Sequence, residues 1–288
     1  MTGRCAVCVA GVVGLAMSAG SVAGAEKGRY SLFNPTPDRL LREMTTDRPD
    51  ATESPFTVDA GRVQVETNLL GFARSHADDN AAVTDTLDLV TTNIRIGLTS
   101  RAEINFVWQP YGTTRTRQLG LATERASGIG SLDIRGKINL WGNDDFERQG
   151  SALALLPYIT LPTDARNGIS SEHMEGGIIV PLAVALPNNF GIGFNGGIAW
   201  LRSETTGDYN AEYLATAALS YEWTGKLGTY YEIAANFAPA DDDGTAVMLG
   251  TGLTYAVSDN VQLDAGINFG VTSAADRFNP FVGISTRF

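Results

Sequence analysis

Cysteine is scarce in this chain: Cys5 and Cys8 are the two it has, and both lie at the amino terminus. If that stretch is removed as a leader, neither disulfide nor thiol chemistry remains, and stability must come from something other than covalent staples. Histidine is equally sparse. His76 and His173 fall in separate expected loops, and neither neighbours a nucleophile motif. That pattern points away from a hydrolase and from histidine-ligated metal, so no catalytic residue, metal or cofactor is expected. Long apolar runs are also missing. With 43% hydrophobic residues and a mean hydropathy of −0.04, nothing beyond the amino terminus is apolar enough for a spanning helix. A basic excess is lacking too: the net charge of −11 argues against nucleic acid or another polyanion as partner.

What is present begins with a leader. Arg4 supplies a positive charge, Cys5 to Met17 is small and apolar, and Ala23-Gly24-Ala25 forms an A-x-A cleavage site before Glu26. Residues 1–25 thus read as a secretory signal peptide, the apolar part being shorter than the ~20 residues of a spanning helix. Residues 26–60, with Pro35, Pro37, Pro49 and Pro55 and many charges, read as a periplasmic lead-in or a plug of the barrel mouth.

From Gly61 onward the dominant signal is period-two alternation, the mark of strands whose two faces meet different media. Candidate strands fall at 61–74, 85–98, 101–111, 128–141, 151–162, 175–187, 190–203, 209–223, 227–238, 246–257, 261–272 and 279–288. In one of them Ala102, Ile104, Phe106 and Trp108 alternate with Glu103, Asn105, Val107 and Gln109; in another, Leu132, Ile134, Ile138 and Leu140 alternate with Asp133, Arg135, Lys137 and Asn139. Connections alternate between short and long, as periplasmic turns and outer loops do, with Gly142 to Gln149 the exception. Trp108, Tyr111, Trp141, Trp200, Tyr221, Trp223, Tyr230 and Tyr255 sit near strand ends, where interfacial girdles belong. The expected fold is all-β: a transmembrane, antiparallel, up-and-down barrel of about 12 strands over residues 61–288. A secreted soluble β-sandwich also alternates, but with its apolar faces inward.

The polar faces collect Arg62, Gln64, Glu66, Arg95, Glu103, Asp133, Arg135, Lys137, Glu212, Glu222, Glu232, Asp264 and Arg287 as lumen candidates. They either set the field along a solute path or form an ion-pair lattice that fills a small barrel. Eight strands are filled by side chains and 16–18 leave a channel, so twelve decides neither way. Asp47, Arg48 and Asp50 are candidates for plugging the mouth through ion pairs with these charges. Asp241-Asp242-Asp243 is either a solvated loop or a hard-cation site, although the calcium-loop spacing is absent. Arg115, Arg117 and Arg125 belong to an expected outer loop, 112–127, and either contact lipid phosphates or are simply solvated.

Two resemblances sharpen this. The final strand, ending in Phe288, resembles the carboxy-terminal insertion signal of bacterial outer-membrane barrels. That likeness implies the barrel-assembly machinery and outer-membrane lipid as partners. The stretch Thr45-Thr46-Asp47-Arg48-Pro49-Asp50-Ala51-Thr52-Glu53-Ser54-Pro55, followed by Val58-Asp59-Ala60-Gly61-Arg62-Val63-Gln64-Val65-Glu66, resembles the opening of the outer-membrane phenol degradation meta-pathway proteins, a family of transporters. Ile96 to Ile104 and Leu156 to Thr163 are similar to the same family. The resemblance implies an outer-membrane barrel, sometimes associated with aromatic-compound catabolism, and no particular substrate.

The expected function is therefore a passive outer-membrane channel or transporter for small solutes, aromatic or hydrophobic compounds among them, with selectivity from width and fixed charge. The alternative is a closed barrel with a structural or adhesive role through its outer loops.

Overall fold

The computed structural model describes residues 27–288 except Asp79, Ala165, Glu204, Thr205 and 239–243. The expected leader, residues 1–25, and the Asp241–Asp243 cluster lie outside the described residues. The strands are β1 (Val63–Arg74), β2 (Val83–Gly97), β3 (Ala102–Trp108), β4 (Tyr111–Arg117), β5 (Glu124–Gly128), β6 (Leu132–Trp141), β7 (Ser151–Leu161), β8 (Glu175–Ala185), β9 (Phe190–Arg202), β10 (Tyr209–Thr224), β11 (Leu227–Phe237), β12 (Ala246–Ser258), β13 (Val261–Gly270) and β14 (Asn279–Arg287). Two short helices, η1 (Asp38–Leu40) and α1 (Phe146–Gln149), lie at the end of the barrel where Lys27 and Phe288 are found.

Every strand runs antiparallel to its neighbours, and β1 pairs with both β2 and β14, so the sheet closes on itself. Two wall strands are interrupted. β3 and β4 both pair with the long β2, while β6 pairs with β3 and β5 with β4. Counting each interrupted pair once, the wall has 12 strands. The sequence expectation treats 112–127 as a loop, and the structure corrects it: β4 and β5 continue the sheet as a hairpin. Thr113, Thr114 and Thr116 are β-branched and suit a strand, but they alternate with Arg115 and Arg117. With neither face apolar, there is no hydrophobic alternation for a sequence reading to detect. Arg115, Arg117 and Arg125 are thus strand residues.

The faces of the wall invert those of a soluble protein. Ile138, Leu249, Leu253 and Phe269 point outward and are 48–52% exposed, whereas Arg95 and Lys137 point inward with no exposed surface. A continuous apolar exterior on a closed sheet is stable only where lipid replaces water, and closure leaves no unpaired edge within the hydrocarbon. Phe190, Tyr221 and Trp223 pack together near the short turns, ring centroids 4.6 and 4.8 Å apart. Tyr230 departs from the girdle expectation. It shares a face with Glu232 two residues on, so it points into the lumen and is 4% exposed.

Candidate functional site: the occupied lumen

The described segment before β1 enters and leaves the barrel at the end where Lys27 and Phe288 lie. Its first part caps that end: Ser31 bridges to Thr99, and the Leu32 N–H donates to the Leu98 carbonyl at 2.9 Å. Lys27 and Arg42 both reach Asp59 and Asp144, tying the entry of the segment to its exit and to the turn after β6. Between these anchors, residues 45–58 bond to strands on opposite sides of the wall. The segment therefore crosses the lumen.

On one side stands a cluster built around Arg95, which carries no exposed surface. Its guanidinium bonds Glu66 at 2.8 Å and Glu103 at 3.0 and 3.2 Å, lies 3.4 Å from Asp47, and donates to the Phe56 carbonyl at 2.8 Å. Lys137 completes the set through Asp47, with Glu103 at 3.6 Å. The backbone N–H groups of Asp47 and Arg48 donate to the Glu66 carboxylate at 3.0–3.2 Å. Asn139 donates to the Pro55 carbonyl at 2.9 Å, and Arg135 bridges Glu53 and Asp133, both at 2.7 Å. Charges this deeply enclosed are tolerable only when paired and fully hydrogen-bonded, and removing one partner typically costs ~3–5 kcal/mol.

Across the lumen the contacts are fewer. Arg48 grips Asp264 with two parallel bonds, at 2.7 and 3.2 Å. Its guanidinium lies where a Cβ on Gly283 would stand, so this glycine makes room for it. Gly97 does the same for the Asp59 carbonyl. The Thr52 hydroxyl donates to Glu232 at 2.5 Å and meets the Thr216 hydroxyl at 2.8 Å, and the Ala51 N–H donates to Glu232 at 3.0 Å. Asp50, on this segment rather than on a wall strand, has its pKa raised well above the ordinary carboxylate value, first by its enclosure and then by the neighbouring charge of Glu232.

The unequal contacts leave an eccentric gap. A cavity of about 820 Å³ opens at this mouth among Arg42, Met44, Arg62, Lys226, Gln262 and Arg287. It adjoins a second of about 500 Å³ that rises along β9–β12 past Gly191, Ser220, Gly228 and Thr254 to Asp50 and Tyr230. Glycine, serine and threonine keep that arc of wall shallow. Thr52, bonded to Thr216 and Glu232, lies beyond the residues that line this space.

The candidate residues distribute as follows. Gln64, Glu66, Arg95, Glu103, Asp133, Arg135, Lys137, Glu232 and Asp264 lie on the inner wall against the inserted segment or its partners. Arg62 sits lower, at the mouth, bonded to the Thr36 carbonyl and to Asp38. Arg287 is also at the mouth, donating to the Arg42 carbonyl at 2.7 Å. Glu222 lines the gap, and Glu212 lies apart from these, beside Tyr158 on the outer side of the segment. Phe288 pairs with Val63 through its backbone and leaves its ring exposed. Sequence reasoning missed Glu53, Thr52, Thr216 and Tyr230. For Thr52 the strand glycine at 193 was the available signal, because an inward glycine leaves room for something held close to the wall.

The architecture is shared with solved barrels. An outer membrane channel from Pseudomonas putida F1 matches with a TM-score of 0.61 at 13% identity, over 85% of this chain and all of that one. The NanC porin matches with a TM-score of 0.50 at 10% identity, over 77% of this chain and 98% of its own. At these identities the likeness concerns the fold: a closed outer-membrane barrel. No curated protein sequence matches the chain. A family model matches residues 46–288, most of the chain, from the inserted segment to the last strand. The chain therefore belongs to the family described as "Putative MetA-pathway of phenol degradation".

Proposed function

We propose that this protein is a gated, passive channel for small solutes, in which residues 45–58 act as a plug and the gap along β9–β12 is the path. The observation that carries this reading is the asymmetry of the plug's contacts. Ion pairs of Asp47 and Glu53 fix it to β2 and β6, and backbone N–H bonds to Glu66 and Glu103 fix it to β1 and β3, while on the far side Thr52 with Ala51 and the Arg48–Asp264 pair hold it beside an open gap. Release of Thr52 from Thr216 and Glu232 joins the periplasmic gap to the outer half of the lumen without dismantling the Arg95 cluster. The outer half carries Asp133, Glu175 and Glu212 near Tyr158, and the gap carries Asp50 and Glu222. Beyond a mouth lined by Arg42, Arg62, Lys226 and Arg287, these acids favour cations and neutral solutes over anions along the inner part of the path. The family's description makes phenols and related aromatics the first neutral solutes to test. The mechanism in this reading is diffusion along the gap, with a short segment of the same chain as the plug.

The test is planar-bilayer conductance with reversal potentials, together with solute swelling of proteoliposomes. Discrete cation-selective steps support the channel. A barrel that inserts but stays silent under all conditions supports the alternative of a structural or adhesive role, to which the projecting β4–β5 hairpin, with Leu119 and Leu121 exposed at its tip, would lend a surface.

A further inference from the structure

We infer that the outer wall at β1, β2, β4 and β5 carries a binding site for the phosphates of the outer-leaflet glycolipid. Strand register builds it. Arg74 lies opposite Asp85, Asp85 opposite Arg115, and Arg115 opposite Arg125. Directly opposed residues of antiparallel strands share a face, so these four form one row across four strands. The row is on the outside. One step below it, Phe72, Leu87, Thr113 and Ser127 stand opposite one another, and below them Leu70, Leu89 and Tyr111, all on the same face. Leu70 and Tyr111 are exposed outward-pointing residues of the apolar exterior.

Height places the row at a headgroup. β1 has 12 residues; at ~3.3 Å per residue and a tilt of ~40°, Arg74 stands ~28 Å above Val63, just past an apolar band of ~25 Å. A row of arginines immediately above the hydrocarbon, on the face that carries the lipid-facing side chains, meets lipid headgroups rather than a solute in the lumen.

The chemistry fits phosphate. Asp85 is bridged by Arg74 at 2.6 Å and by Arg117 at 2.5 Å, which fixes both guanidinium groups on this face. Among the described residues no ion pair involves Arg115 or Arg125, and both are exposed. Four arginines against one aspartate leave an excess of positive charge on the patch. Arg115 and Arg125 flank a groove of about 230 Å³ whose floor includes Phe72, Leu87 and Thr113. An apolar floor with a guanidinium rim suits a lipid that presents acyl chains below and phosphate above. Guanidinium forks bind phosphate bidentately, which an ammonium does not do.

The test uses the full-length protein extracted from outer membranes, delipidated and returned to bicelles. Titration with a bis-phosphorylated outer-leaflet glycolipid is compared with its enzymatically dephosphorylated form and with inorganic phosphate, using native mass spectrometry and quenching of Tyr111 and Trp108 fluorescence. Wild type should bind the phosphorylated lipid at least ~10-fold more tightly than the dephosphorylated one, and Arg115→Gln with Arg125→Gln should remove most of that preference. Arg115→Lys with Arg125→Lys, which keeps the charge and the strand, should recover part of it. Equal binding of both lipids, or an unchanged preference in the folded glutamine variant, overturns the site. Saturation by inorganic phosphate at concentrations matching the lipid would identify a free-anion site and overturn the lipid assignment. Folding of each variant is read from heat-modifiable gel migration.

Discussion

The gate can be loosened by one atom. Thr52→Val keeps the shape of the side chain and removes its hydroxyl, and with it the bonds to Glu232 at 2.5 Å and Thr216 at 2.8 Å. A hydrogen bond to a charged acceptor contributes ~1.5–3 kcal/mol, and the neutral bond between hydroxyls ~1 kcal/mol. Part of that is returned because Glu232 keeps the Ala51 N–H at 3.0 Å. A net loss of ~1.5–3 kcal/mol favours the released plug by about 10- to 150-fold. The wall strands keep all their pairings, so insertion and heat-modifiable migration should match wild type. In single-channel recordings the open fraction should rise by at least ~10-fold, or steady conductance should increase if switching is faster than the recording bandwidth. A valine variant that inserts normally and gives traces like wild type would refute the assignment of this contact as the gate.

Other perturbations separate the parts. Arg95→Met strips the cluster of its central cation and leaves Glu66 and Glu103 facing each other; it should cost ~3–5 kcal/mol, seen as a lower temperature for loss of the compact gel form. Ile134→Arg, whose side chain shares the lipid face with Phe106, should cost ~2–4 kcal/mol near the midplane and impair assembly, so normal assembly would count against that face assignment. Deleting Phe288 should slow insertion, measured by the rate of appearance of the heat-modifiable form. Asp50 gives a pH dependence. Its pKa is raised where it sits by enclosure and by Glu232, so the docked plug holds the proton more tightly than a released one. Docking is therefore strongest at low pH and is lost as pH rises through that raised value, and conductance should increase with pH. Asp50→Asn should flatten the profile, and an increase of conductance on acidification would contradict this.

Much of the architecture was legible because lipid outside and water inside impose contrast on each strand. Leu132, Ile134 and Ile138 against Asp133, Arg135 and Lys137 state the two faces in a few residues. Where the wall rises above the lipid the contrast disappears, and β4 and β5 vanish from a sequence reading for that reason. Tyr230 shows a different failure: its place near a strand end suggested a girdle, but the parity it shares with Glu232 was the stronger fact. The plug has no periodicity at all. It is held by single contacts between residues far apart in the chain, Asp47 with Lys137 and Arg48 with Asp264, which no local pattern announces. The carboxylates and arginines on the inner faces left a solute path and an ion-pair lattice equally open; Asp47, Arg48 and Asp50 stood out in the sequence as plug candidates, but the wall residues each of them meets needed the three-dimensional structure.

The most direct test of the gated plug is to lock it. Cys5 and Cys8 are the chain's two cysteines, and both precede residue 26, so in residues 26–288 Thr52→Cys with Thr216→Cys makes a single cysteine pair at hydroxyls that now stand 2.8 Å apart. Conductance of the refolded barrel would be recorded after oxidation and again after reduction in the same bilayer. A silent cross-linked barrel that conducts once reduced is the predicted result. Equal current in both states would show that solute does not pass where Thr52 meets the wall, and would contradict the account.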